Sequence, residues 1–168
     1  VTMAGNNIRY QNPYMPNGGK PEDTNIPIAS FRYPGQLGTL HTALYKDADG
    51  VTRSKTFMLV KTNAVLATAP ENGGVAWWSD QDNFEVTTLA TSRGRVAGVF
   101  LAAISVSSVC FIQVGGRHPG VRLIGVPTAA ASAAGLVVVP SATAGSADCL
   151  AAGTAAIYPQ LGLSVGTA

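Results

Sequence analysis

Charged residues are scarce in this sequence of 168 residues, at 12% of the chain against about a quarter in a typical soluble domain. The formal net charge is only +2 and Lys and Arg do not cluster, so nucleic acid is not an expected partner. A surface with so few charges is poorly solvated, and such compositions are common in proteins that pack against copies of themselves. The sequence therefore predicts extensive contacts between subunits.

Cysteine and histidine are rarer still, with two residues of each. Cys110 and Cys149 are the two cysteines, too few for the disulfide framework of a small secreted protein. Neither His41 nor His118 has a Glu or Cys nearby at the spacing of metal ligands, which favours ordinary structural histidines. We expect no metal and no cofactor.

The residue groupings that catalysis requires are also missing. The densest acidic cluster, Asp80, Asp82 and Glu85, could hold a carboxylate pair, but a solvated loop explains it equally well. Residues 47–50 (Asp-Ala-Asp-Gly) resemble part of a calcium loop, yet the distal Glu is absent and a hairpin turn is the simpler interpretation. Nucleophile-elbow, Walker and dinucleotide motifs are not found. The sequence predicts a protein that is not an enzyme and has no catalytic residues.

Short apolar segments separated by turn residues recur from Gly38 onward, without a helical period. Residues 39–45 and 51–61 flank an Asp- and Gly-containing stretch that predicts a hairpin loop. Further predicted strands are residues 75–78, 84–89, 96–101, 109–114, 121–126, 135–139 and 155–158. Many short strands at near-regular spacing predict an all-β fold, a small β-barrel or sandwich-like domain over residues 37–168.

One uncharged segment, residues 96–116, is long enough to cross a membrane as a helix. Its β-branched residues, its serines and Gly98 favour two buried strands joined by a Ser-rich turn instead. We therefore expect no membrane association.

Residues 1–36 contain five of the ten prolines and predict an extended N-terminal arm, because proline fixes φ and forces its predecessor into extended geometry. The arm also carries apolar and aromatic side chains, which purely solubilising linkers lack. It could lie on a neighbouring subunit or fold back over its own core. The contact residues predicted in the arm are Ile8, Arg9, Tyr10, Tyr14, Met15, Phe31, Arg32 and Tyr33.

Trp77 and Trp78 are adjacent, so in a strand they point to opposite faces. One is expected in the core. The other is expected outside, as an anchor for a subunit contact or as a stacking platform for a sugar. Both are included in the predicted contact residues.

Several short motifs resemble those of the head-decoration, or cement, proteins of tailed bacteriophages over roughly residues 33–166. They are residues 33–38 (Tyr-Pro-Gly-Gln-Leu-Gly), Trp77-Trp78 with its acidic loop, 95–100 (Arg-Val-Ala-Gly-Val-Phe), 110–116 (Cys-Phe-Ile-Gln-Val-Gly-Gly) and 135–141 (Gly-Leu-Val-Val-Val-Pro-Ser) leading to 152–154 (Ala-Gly-Thr).

The resemblance implies a β-barrel-like virion protein that binds the outer surface of the phage head, as a homotrimer, and stabilises the capsid. Its partners would then be the major capsid protein and further copies of itself, and it would assemble in the host cytoplasm. A carbohydrate- or receptor-binding β module, or another virion β-protein such as a tail component, stays open as an alternative.

Overall fold

The computed structural model describes residues 21–46, 50–66, 69–92, 94–123, 135–150 and 160–163. Within these ranges the regular structure consists of strands and three-residue 3-10 turns, which confirms the all-β prediction. The strands are β1 (Ile26–Pro27), β2 (Leu40–Lys46), β3 (Thr52–Thr62), β4 (Val75–Asp80), β5 (Glu85–Thr87), β6 (Val96–Phe100), β7 (Ser108–Gly115), β8 (Val137–Pro140), β9 (Ala147–Cys149) and β10 (Gly162–Leu163).

The large sheet closes on itself. Its strand order is β1-β7-β6-β4-β5-β3-β2, and an additional pairing between β7 and β3 joins two strands that are otherwise far apart in that order. The strands β3, β5, β4, β6 and β7 therefore form a ring, in which the β3–β5 pair is parallel and the other pairs are antiparallel. This is a small barrel, whose closure leaves β1 and β2 as the edges of the large sheet among the described strands.

Apolar side chains fill the barrel. The interior cluster comprises Val60, Ala76, Val86, Phe100, Ile104, Cys110 and Ile112, with Met58, Trp78, Ala97 and Ala102 packed against it. Gly98 lies at a tight approach in the wall, where a Cβ atom would collide with the carbonyl of Gln113. A side chain at position 98 would force the paired strands β6 and β7 apart.

Two further clusters cover the outside of the barrel. The cluster on one side, here called the outer cluster, contains Ala43, Tyr45, Phe57, Leu59, Val109 and Phe111 and is covered by Ile26, Phe31, Leu37 and Leu101. On another side, Trp77 and Val75 pack with Val138, Ala147 and Cys149, which belong to a three-stranded sheet of order β10-β8-β9. Strand β7 is buried from Ser108 to Gln113 because its two faces belong to different clusters, which explains its continuous apolar sequence.

The hairpin and the paired-strand predictions are confirmed. Strands β2 and β3 pair in antiparallel register from Leu40 opposite Met58 to Lys46 opposite Thr52, around the predicted loop at residues 47–50, of which 47–49 lie outside the described residues. The uncharged segment 96–116 contains the antiparallel pair β6 and β7. None of the helices in the described ranges has the length and apolar character needed to cross a membrane.

The sequence did not predict the short strands β1, β9 and β10, each of two or three residues. In residues 121–123, the described part of the predicted strand 121–126, Leu123 forms only an isolated bridge to Ala147. The predicted strand 155–158 lies outside the described residues.

The second half of the predicted N-terminal arm packs against the domain that follows it. Strand β1 pairs with β7, Phe31 packs on the outer cluster, and the backbone amide of Gly38 donates to the carbonyl of Leu59 at 2.7 Å. Residues 21–36 are therefore built into the domain that they precede, because they cover apolar surface of β3 and β7 that would otherwise face water. Residues 1–20 of the predicted arm lie outside the described residues.

Candidate functional site

Two groups of exposed apolar side chains are the main candidates for contact surfaces. The first, here called the end patch, consists of Ile28, Val65 and Val106, which are 38%, 62% and 51% exposed. The second, called the edge patch, is the outward face of β2 with Leu40, Thr42 and Leu44. Its two leucines are 59% and 47% exposed. Single exposed apolar residues are common, whereas apolar groups on neighbouring segments indicate a contact site.

Hydrogen bonds hold the three segments of the end patch together. The amide of Ile28 donates to the carbonyl of Ser107 at 2.9 Å, and the amide of Ser107 donates to the carbonyl of Asn63 at 3.5 Å. The amide of Val65 donates to the side-chain oxygen of the same Asn63 at 2.7 Å. The exposed valines thus lie on loops whose backbone positions are fixed by one another.

Buried polar contacts also anchor the loop that carries Val106. The hydroxyl of Thr62 shares its one proton between the carbonyls of Ser105 and Ser108, at 2.9 and 3.2 Å, and accepts from the amide of Ser108 at 2.9 Å. Ser107 has a positive φ of 51°, a conformation that is costly for a residue with a Cβ atom. The loop is therefore held in a strained shape that places Val106 outside.

The edge patch reverses the usual burial preference of its residues. Along β2 the burial alternates, so that His41, Ala43 and Tyr45 are buried while Leu40, Thr42, Leu44 and Lys46 are exposed. A strand that packs its histidine and tyrosine inward and leaves two leucines in water has an unusual outer face. Sequence reasoning missed this face, because both alternating sets contain apolar residues and only the register with β3 decides between them.

The two tryptophans lie on opposite faces of β4, as predicted. Trp77 is fully buried in the cluster between the barrel and the small sheet, so it has no surface with which to contact another subunit. Trp78 points into the barrel end, where it packs on the interior cluster and meets Phe84 edge to face at 6.5 Å between ring centres. It is half-buried, so of the two tryptophans it is Trp78 that has surface for a contact.

The predicted arm residues divide between described and undescribed parts. Ile8, Arg9, Tyr10, Tyr14 and Met15 lie outside the described residues. The other three predicted residues, Phe31, Arg32 and Tyr33, are consecutive in the sequence but differ in exposure. Phe31 is half-buried on its own outer cluster and touches Tyr33 edge to face at 6.5 Å, whereas Arg32 is exposed and Tyr33 is 62% exposed.

Two members of the acidic cluster, Glu85 and Asp80, make separate structural contacts. Glu85 accepts hydrogen bonds from Asn63 and Ser79 at 2.5 and 3.0 Å and forms an ion pair with Lys61 at 3.6 Å. Asp80 accepts from the side chain and the backbone of Asn83 at 2.7 and 3.2 Å.

The hydrogen bonds to Asp80, that of the Asn83 side chain first, hold the pKa of its carboxyl below the ordinary value. A carboxylate that is already ionised at neutral pH and occupied by a turn is suited to fixing that turn, not to donating a proton.

The two histidines lie in different settings. His41 is buried, meets Phe111 edge to face at 5.1 Å, and shares a hydrogen bond with the hydroxyl of Thr39 at 3.1 Å. Burial lowers its pKa. Nδ1 of His118 accepts from the amide of Gly120 at 3.2 Å, and burial, aided by the positive charge of Lys55, lowers its pKa to about 4. Both rings are neutral at physiological pH.

The cysteines and the other possible ligands lie apart in the fold. Cys110 belongs to the barrel interior and Cys149 to the cluster under the small sheet, and both are free thiols. Over the described ranges no three His, Cys, Asp or Glu side chains come close enough together to hold a metal ion.

Comparison with known proteins adds no relative: no protein-family model, curated protein or solved structure matches this chain.

Proposed function

We propose that this chain is a structural virion protein that binds the outer surface of a tailed-phage head as a homotrimer and stabilises the capsid. Its partner in this role is the major capsid protein. The proposal combines the motif resemblance with the physical character of the folded domain. In a closed barrel whose outside is partly covered by packed segments, few groups are left to be ordered on binding, so little conformational entropy is lost.

The end patch is the observation that carries the proposal. Val65 and Val106 are exposed at fixed positions on loops at one end of the barrel, beside Ile28 from the N-terminal segment. A protein surface that recognises a flat protein lattice needs apolar side chains on preorganised backbone more than it needs a pocket. The low charge of the chain agrees with a surface that neighbours cover.

Repetition makes modest contacts sufficient for this role. Each patch alone is far smaller than the roughly 800 Å² per partner of a standard interface. A trimer that engages several capsid subunits at once raises the effective concentration of the second and third contacts, so weak contacts sum to a stable attachment. No active site is required for this mechanism.

Binding to heads tests the proposal. Purified protein is mixed with cognate expanded heads that lack a decoration protein, and bound protein is quantified after sedimentation. We expect saturable binding and, by cryo-electron microscopy, a regular layer outside the shell. Val65→Asp and Val106→Asp should each weaken binding at least about tenfold, because a buried, unpaired carboxylate is strongly disfavoured at an interface.

Leu163→Asp is the matched control, since Leu163 is also 62% exposed but lies on the small sheet. It should bind like the wild type. Absence of wild-type binding, or normal binding by folded Val65→Asp and Val106→Asp, would contradict the proposal. Removal of residues 1–20 tests the arm separately, because it leaves β1 and its contacts with β7 intact.

A further inference from the structure

Strand β2 presents an open edge. Within the described residues β3 is the only strand that pairs with it. The amide of Leu59 donates to the carbonyl of Thr39 at 3.2 Å, so the backbone groups of residues 39, 41, 43 and 45 face β3 in the alternating pattern of antiparallel strands. The backbone groups of Leu40, Thr42, Leu44 and Lys46 therefore point away from β3, toward the open edge of the sheet.

This edge lacks the features by which monomeric β proteins protect their edges. It is seven residues long, contains no proline, and has no irregularity in its register with β3. Lys46, at its end, is its only charged residue. Long, regular and uncharged edges pair with other strands unless a charge, proline or bulge prevents it. The exposed leucines of the edge patch add apolar surface beside the unpaired backbone.

We propose that β2 pairs with β2 of a second copy of this chain, in antiparallel register about a two-fold axis that passes between the two Thr42 residues. The outward backbone groups of residues 40, 42 and 44 then form the ladder. In this register Leu40 lies opposite Leu44 of the second copy, Thr42 opposite Thr42, and Leu44 opposite Leu40. The pattern of the strand is thus complementary to itself.

The neighbouring two-fold registers fit less well. A centre at His41 places Leu40 opposite Thr42 and Leu44 opposite Gly38. A centre at Ala43 places Lys46 opposite Leu40 and Thr42 opposite Leu44. A centre at Leu44 leaves one leucine pair and places Lys46 opposite Thr42. With the centre at Thr42, each Lys46 falls opposite Gly38, beyond the apolar ladder, and the two lysines are separated by roughly 26 Å along the strands. This register is favoured because apolar side chains lie opposite apolar side chains and the charged lysines stay outside the ladder.

This contact goes beyond the proposed function. It uses the edge patch on β2, whereas head binding is assigned to the end patch on the loops around Asn63 and Ser107. Two-fold pairing would join neighbouring copies to each other, whatever surface holds them to a larger assembly. The two proposals can therefore fail independently.

Cross-linking tests the register directly. Directly opposite residues that exchange hydrogen bonds have Cα atoms about 5.5 Å apart, within the range of a disulfide. Thr42→Cys should form a covalent dimer under mild oxidation of the full chain. Background reaction is low because Cys110 and Cys149 are buried. Ser54→Cys is the control, since Ser54 is exposed on the adjacent strand opposite Leu44 but lies too far from its counterpart to bridge.

A proline tests the backbone pairing. The amide of Thr42 faces the open edge, so Thr42→Pro removes no backbone hydrogen bond within the subunit but removes two from the symmetric dimer, while Thr42→Val keeps them. Both substitutions lose the hydrogen bond between the hydroxyls of Thr42 and Thr56 at 3.3 Å, so their comparison isolates the backbone pairing. By sedimentation equilibrium we expect the wild type and Thr42→Val to form a species with twice the mass of the smallest one present, and this doubling to be weaker by at least about tenfold for Thr42→Pro.

Equal cross-linking of Thr42→Cys and Ser54→Cys, a strictly monomeric wild type, or unchanged association of folded Thr42→Pro would each overturn the proposal. Circular dichroism of Thr42→Pro establishes that a loss of association is not a loss of the fold. Head binding by Val65→Asp is measured separately and bears only on the end patch.

Discussion

The ring of Phe84 occupies the position that a Cβ atom on residue 38 would need. Both residues have positive φ, 51° for Phe84 and 81° for Gly38, and the ring also packs against Trp78. An aromatic residue in the left-handed region is rare. The strain lies in the turn between β4 and β5. It is offset by the packing of the Phe84 ring, which covers the residues before β2 at this end of the barrel.

A methyl group at position 38 should therefore be strongly destabilising. Gly38→Ala adds a side chain at positive φ and displaces the Phe84 ring, and we expect a loss of about 2–4 kcal/mol in the free energy of unfolding. Urea unfolding followed by tryptophan fluorescence measures it. Gly35→Ala is the control, because a Cβ at Gly35 meets nothing within 4 Å. Equal effects of the two substitutions would show that the ring does not constrain position 38.

The loop of the end patch offers the opposite test. Ser107 adopts φ of 51°, which glycine accepts without strain, so Ser107→Gly should stabilise the protein by about 0.5–1 kcal/mol. Ser105→Gly, in the same exposed loop but without a positive φ, should be neutral or slightly destabilising, because glycine gains entropy in the unfolded chain. Thermal unfolding of the pair compares them. A destabilised Ser107→Gly would mean that contacts of the hydroxyl outweigh the backbone strain.

The sequence predicts the strands of the barrel well, because their apolar segments are bounded by glycines, asparagines and aspartates that favour turns. It also predicts the opposite orientations of Trp77 and Trp78, since side chains alternate along any strand. These are local properties, and each depends on only a few neighbouring residues.

Properties set by distant residues could not be predicted in the same way. The burial of His41 and Tyr45 instead of Leu40 and Leu44 depends on the register between β2 and β3 and on what covers each face. The two-residue strand β1 exists because β7 offers it a free edge, not because its own sequence favours a strand. The end patch joins segments from three parts of the chain, so no local pattern marks it.

The thiol of Cys110 should be inert in the folded protein. Burial in the barrel interior raises its pKa to about 12, so at pH 8 only about one thiol in ten thousand is ionised and none is accessible. In Cys149→Ser, which isolates Cys110, we expect no reaction with Ellman's reagent on the time scale of minutes and one full equivalent after denaturation in guanidinium. Rapid labelling of the native variant would place Cys110 outside the closed barrel.

Stability should fall in mild acid because of His118. Its pKa is about 4 in the fold, chiefly through burial and also through the charge of Lys55, and about 6.5 in the unfolded chain. Between these values the unfolded chain binds more protons, so protonation favours unfolding as the pH falls from about 6.5 towards 4. The stability is fully present above pH 6.5. Part of the ring reaches solvent, so we expect a loss of about 1–2 kcal/mol between pH 7.5 and 5.

Urea unfolding at pH 7.5 and at pH 5 measures how the free energy of unfolding depends on pH. At both values most unperturbed carboxyl groups are still ionised. His118→Gln, which cannot be protonated, should remove most of the dependence. His41→Gln is the informative comparison, since burial also lowers the pKa of His41 and a share of the slope should belong to it. If His118→Gln keeps the wild-type dependence on pH, the acid sensitivity arises elsewhere. In that case the partly buried position of His118 beside Lys55 does not couple protonation to unfolding.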